Sequence, residues 1–111
     1  MNLEEKIKFI VEKIEEKKGI DILVVDAPEK QLIDKFVICS GSSDPHIKTI
    51  YENLRVSLKD NNVHIYNIEQ NFNLAAGWLV IDTGDVVVHI MSEEKREYYE
   101  LEDLWSEYIG K

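Results

Sequence analysis

Three groups of residues in this chain have types and spacings from which chemistry can be built. Ser40-Gly41-Ser42-Ser43-Asp44 links an apolar segment to a helix start, and such a loop can turn free N–H groups toward a phosphate. Phosphoryl or nucleotidyl transfer also needs carboxylates placed to hold metal ions. No closely spaced acidic pair follows the loop on a strand, and no Gly-Lys-Ser or Gly-Lys-Thr run is present. The same residues read as a turn and helix cap, with Asp44 accepting from free N–H groups and Pro45 presetting φ at the first helical position. Asp82 and Asp85 form the second group, because two nearby carboxylates can have their pKa values pushed apart into acid and base. They flank Thr83-Gly84, however, where Asp is favoured for local turn hydrogen bonding. His46, His64 and His89 fall on different elements and Cys39 stands alone, a spacing that supports no metal site. The expectation is no catalytic residue, no cofactor and no metal.

What remains is a surface. The run from Gly77 to Met91 reads as a β-hairpin with apolar residues on both faces. With a loop at Thr83-Gly84, Asp82 lies opposite Asp85, Val80 opposite Val87 and Trp78 opposite His89. Alternation then sends Leu79, Ile81, Val86, Val88 and Ile90 to one face, and Trp78, Val80, Val87, His89 and Met91 to the other, with both aspartates at the turn end. The first face builds a core. The second, with Trp and Met beside carboxylates, has the character of a protein-docking patch that is partly exposed in the isolated chain. The competing arrangement has a C-terminal helix bearing Tyr98, Tyr99 and Trp105 cover that face and make Trp78 and Met91 core.

The elements that must position this hairpin follow from periodicity. Leu3, Ile7, Ile10, Val11 and Ile14 recur at helical spacing, with Glu4 and Glu5 in the first turn and Gly19 as a stop. Ile20 to Asp26 and Phe36 to Ser40 read as strands, the second ended by Gly41. Ile47, Ile50, Tyr51, Leu54 and Leu58 stripe a second helix running to about Asp60. Val63 to Ile68 reads as a short strand and Glu69 to Ala76 as the loop into the hairpin. The sequence turns helical again through Glu93, Glu94, Lys95 and Arg96. This order predicts one α+β domain, with a mixed sheet of about five strands flanked by helices. The helices allow parallel pairing among the early strands, while the last two are antiparallel. Cys39 is expected as a buried small hydrophobe.

With 111 residues and 44% hydrophobic composition the chain is large enough for a core without staples. A net charge of −9 repels a phosphate backbone and disfavours direct nucleic-acid binding, whereas a basic protein is a favoured partner. A single cysteine excludes an intramolecular disulfide and fits a reducing, cytoplasmic compartment. No apolar run approaches the ~20 residues of a membrane span, and the acidic N-terminus does not read as a targeting segment.

The ordered set Gly77-Trp78 through His89-Ile90-Met91, then Glu94, Arg96, Tyr99-Glu100-Leu101-Glu102 and Leu104-Trp105, closely resembles the Iojap family of ribosomal silencing factors. Upstream, Asp21-Ile22, Val25-Asp26, Asp34, Phe36-Val37-Ile38 and Ser40-Gly41-Ser42-Ser43 extend the resemblance over nearly the whole chain. It implies a non-enzymatic factor that binds the large ribosomal subunit through its protein L-fourteen, blocks joining of the small subunit and lowers translation under nutrient limitation. It also implies a nucleotidyltransferase-like fold without the catalytic carboxylates. The docking positions it implies are Trp78, Asp82, Asp85, His89, Met91 and Tyr99; Val80 and Val87 are added by alternation. One departure is Gln70, where the family usually has Gly, which permits φ > 0 in the loop leading to the hairpin.

The alternatives are a nucleotide-using enzyme built on Ser40 to Asp44, and a dimerisation module in which the patch pairs with itself; the free chain is expected to be a monomer or homodimer. Calorimetry with nucleoside triphosphates and magnesium separates out the enzyme. The expected result is no saturable heat at micromolar ligand.

Overall fold

The computed structural model describes residues 1–26, 34–66 and 77–99, the side chains of Tyr98 and Tyr99 excepted. Helix α1 (Leu3–Glu16) starts at a capping box, in which Asn2 accepts from the Glu5 N–H at 2.8 Å and Glu5 accepts from the Asn2 N–H at 3.3 Å. Its apolar stripe buries Ile10 and Ile14 completely. Helix α2 (Asp44–Asp60) is capped one residue earlier than expected. Ser43, not Asp44, supplies the cap oxygen, accepting from the His46 N–H at 3.2 Å, and Asp44 sits inside the first turn, where its charge suits the helix dipole.

The described strands are β1 (Ile20–Asp26), β2 (Lys35–Gly41), β3 (Trp78–Asp82) and β4 (Val86–Ser92), in the order β1-β2-β4-β3. The pairings β1–β2 and β3–β4 are antiparallel and β2–β4 is parallel. Parallel pairing therefore joins β2 to the last strand, not to an early one. The reason is connection length: α2 lies between β2 and the hairpin and supplies the long crossover that parallel strands need. Of the fifth strand expected at Val63 to Ile68, residues 63–66 are described and carry no strand, although the Tyr66 N–H donates to the Asp82 carbonyl at 2.8 Å. The remainder lies outside the described residues, as do Gln70 and its loop and the residues Leu101, Leu104 and Trp105.

Both long helices pack on one face of the sheet. Ile10 and Ile14 of α1 and Ile47, Ile50, Leu54 and Leu58 of α2 share a buried cluster with Val37, Cys39, Leu79, Ile81, Val86, Val88 and Ile90. The two helices are tied together by Asn53, whose amide donates to the Lys13 carbonyl at 3.0 Å. Helix α3 (Glu93–Tyr99) leaves β4 directly, with Ser92 accepting from the Lys95 N–H at 3.0 Å. Arg96 on α3 reaches back to β1 and β2, donating to the Asp21 carbonyl at 2.6 Å and the Ser40 hydroxyl at 3.2 Å.

The five core-facing hairpin residues predicted from alternation are all buried on the helical side. Leu79→Ala should therefore open a cavity between the sheet and α2 and cost about 2–5 kcal/mol of stability, read as a lowered thermal melting point.

Candidate docking face

The hairpin closes one residue later than its sequence suggests. The Thr83 N–H donates to the Val86 carbonyl at 2.9 Å and the Thr83 hydroxyl to the same oxygen at 2.7 Å, leaving Gly84 and Asp85 as the two loop residues. Gly84 has φ of +95°, at the position where a type II′ hairpin turn calls for glycine. The register is accordingly Trp78 opposite Met91, Val80 opposite His89 and Asp82 opposite Val87. This is a shift of two residues on β4 from the expected pairing. Because side chains alternate with period two, both faces keep their predicted members.

What changes is exposure. On β3, Trp78, Val80 and Asp82 are half-buried, while Leu79 and Ile81 between them are buried. On β4 every residue from Val86 to Met91 is buried. Met91 is fully buried, so the expectation that it forms part of an exposed docking centre is corrected: with Val25 and Ile38 it makes the floor beneath Trp78. Val87 and His89 are 6% and 9% exposed, which removes them too as broad contact surfaces. The physical reason is that side chains of the flanking strands pack over this face, Phe36 and Trp78 on the His89 ring and Val25, Ile38 and Trp78 around Met91, and alternation alone does not reveal such neighbours. Tyr99 ends α3, and its side chain lies outside the described residues.

The two aspartates have different partners. Asp85 is held by Lys6 of α1 at 2.6 Å, a pair in which Lys6 also approaches the Thr83 carbonyl at 3.4 Å. Asp85 thus fastens the turn to the helical layer. Asp82 accepts from the Gly84 N–H at 2.8 Å, the local turn bond expected of an aspartate in this place. Periodicity does not single out Tyr66 as part of this region; the residue is 62% exposed and its ring lies where a Gly84 Cβ would come within 2.9 Å.

At the other end of the hairpin, the Trp78 indole N–H donates to Nδ1 of His89 at 3.0 Å, which places the imidazole proton on Nε2. Phe36 lies against the same imidazole, with ring centroids 5.7 Å apart. Burial holds the His89 pKa down at about 4, so the ring is neutral near pH 7. Burial also pushes the Cys39 thiol up to about 12, as befits a small core hydrophobe.

The Ser40–Asp44 loop has its polar groups engaged internally. The Ser42 N–H donates to Nδ1 of His46 at 2.8 Å, and His46 Nε2 donates to the Lys17 carbonyl at 2.7 Å. The Ile47 N–H donates to the Ser43 carbonyl at 2.9 Å. These bonds occupy N–H groups that a phosphate would need. Among the described residues no cluster of His, Cys, Asp and Glu has the arrangement of a metal site, and no helix is long and apolar enough to cross a membrane.

Comparison with known proteins places this geometry among relatives. The family described as ribosomal silencing factor during starvation matches residues 1–109. The ribosomal silencing factor RsfS of Bacillus subtilis is 33% identical over 108 residues, covering 96% of this chain and 90% of its own length. A mouse protein named for mitochondrial assembly of the ribosomal large subunit is 36% identical, and the match covers 90% of this chain and 45% of that protein. A crystal structure of a Chromobacterium violaceum protein, 33% identical, superposes with a TM-score of 0.86 over 96% of this chain and 88% of its own.

The buried imidazole makes stability depend on pH. An unfolded His89 titrates near 6.5 and the folded one at about 4, so between these values the unfolded chain holds a proton that the folded chain does not. The contribution is fully present above pH 6.5 and is lost as pH falls toward 4, on the order of 3 kcal/mol across the window. Urea unfolding from pH 7 to 4 should show wild type losing more stability than His89→Asn by about that amount.

Proposed function

Because the chain belongs to the ribosomal silencing factor family, which matches it from residue 1 to residue 109, we propose that it docks on the large ribosomal subunit through that subunit's protein L-fourteen. Its bulk then occupies space that the small subunit requires, and translation falls when nutrients are scarce. The action is steric and cytoplasmic, and no bond is made or broken. The observation that carries this reading is the outward row of β3, where Trp78, Val80 and Asp82 stand half-buried above a fully packed floor.

A large aromatic on a rigid strand, beside a carboxylate, is the composition from which interface hot spots are built. The net charge of −9 favours encounter with a basic ribosomal protein and repels bare phosphate. The relative named for ribosomal large-subunit assembly supports the choice of subunit. The docking set is narrower than the hairpin's whole second face. Trp78, Val80 and Asp82 form its centre, Asp85 acts by fastening the turn, and Tyr99 is proposed from the family resemblance.

Co-sedimentation with purified large subunits tests the reading. Trp78→Ala should lower affinity by roughly thirtyfold, since an interface Trp is commonly worth about 2 kcal/mol or more, and should leave most of the fold intact. Asp82→Lys should chiefly slow association and change its salt dependence, because a charge near the rim steers encounter. Wild-type protein that sediments only with free material, or Trp78→Ala that binds as well as wild type, would overturn the proposal.

A further inference from the structure

The register sets Trp78 and His89 on a diagonal, one pair apart on neighbouring strands, where long side chains still meet. The indole N–H reaches Nδ1 of His89 at 3.0 Å, and the two rings lie 5.8 Å apart at 55°. From the β2 side, Phe36 closes on the same imidazole at 44°. Met91, Ile38 and Val25 lie beneath the indole. His89 itself is only 9% exposed, too deep to offer a partner much surface, so its influence on docking must pass through Trp78.

An apolar residue at position 89 would pack between Phe36 and Trp78 without the cost of desolvating an imidazole. What histidine adds is an acceptor for the indole N–H. That bond selects one of the indole's orientations on the apolar floor, because only one edge of the ring carries the N–H. We infer that His89 is a positioning residue: through Nδ1 it fixes the Trp78 indole in a single orientation, so that the half-exposed ring meets the partner protein already ordered. The value of the fixed ring for binding rests on the docking function proposed above; the fixing itself rests on the geometry alone. An ordered side chain spares the complex the entropy of immobilising it, which is worth about tenfold in affinity.

The test compares His89→Leu, which removes the acceptor, with His89→Asn, whose Oδ1 stands the same number of bonds from Cα as Nδ1. Benzothienylalanine at position 78 breaks the same bond from the other side, with sulfur in place of the N–H. The readouts are NMR exchange of the Trp78 indole proton, assigned by its loss in Trp78→Phe, large-subunit affinity, and the melting point as a check on folding. In His89→Leu the indole proton should exchange at least about tenfold faster and affinity should fall about tenfold. His89→Asn should restore both to within about threefold, and benzothienylalanine should reproduce the affinity loss in a protein that melts like wild type. If His89→Leu keeps slow exchange and full affinity, or if His89→Asn behaves like His89→Leu, the inference is overturned. Should His89→Leu not fold, full affinity in the benzothienylalanine protein would overturn it equally. If wild type binds no large subunit the docking function falls, and the exchange comparison alone decides whether His89 fixes the indole.

Discussion

The placement of β4 between β2 and β3 is the constraint on which the rest of this structure depends. Flanked by both strands, β4 has the helices over one face and side chains of its neighbours, Phe36, Ile38 and Trp78, crowding the other, and Val86 to Met91 are all buried. Display passes to β3, whose outward residues Trp78, Val80 and Asp82 keep part of their surface. The parallel pairing of β2 with β4 thus turns a hairpin with two apolar faces into one strand that is buried and one whose outward residues are half-exposed.

Much of this was legible in the residues. The stripes of α1 and α2, the span of β1 and the two faces of the hairpin follow from periods of 3.6 and 2. The register did not, because Thr83-Gly84 and Gly84-Asp85 are both acceptable two-residue turns and differ by two residues in pairing. The choice is made by Thr83, whose hydroxyl and N–H both close on the Val86 carbonyl. The cap of α2 was misplaced by one for a similar reason, since Ser43 and Asp44 are equally good capping residues and only the backbone geometry selects between them. Burial of Val87, His89 and Met91 was illegible because it depends on a strand more than forty residues away in sequence. Asp85 looked like a docking charge, and its real partner, Lys6, is farther still.

Electrostatics divide the labour of the turn. A partly buried ion pair of 2.6 Å ties the hairpin turn to α1 and so to the helical layer. Asp82 meanwhile spends one oxygen on the turn's own backbone. The acidic character of the chain as a whole, not one aspartate, therefore sets its long-range field.

The grip of Arg96 on β1 bears on the outer edge of the described sheet. β1 is an outer strand with Leu23 and Val24 exposed, the sort of edge on which another chain can template a further strand. Its register breaks between Ile20 and Leu23, and Asp21 turns to φ of 48°, so the row of backbone groups along the strand is interrupted. The guanidinium then takes the Asp21 carbonyl for itself. Only the stretch from Leu23 to Asp26 remains straight, and the charged ends of Asp26 and Lys35, paired with each other, close it. The features that work against edge pairing thus sit on the same strand that anchors α3, and Arg96 serves both.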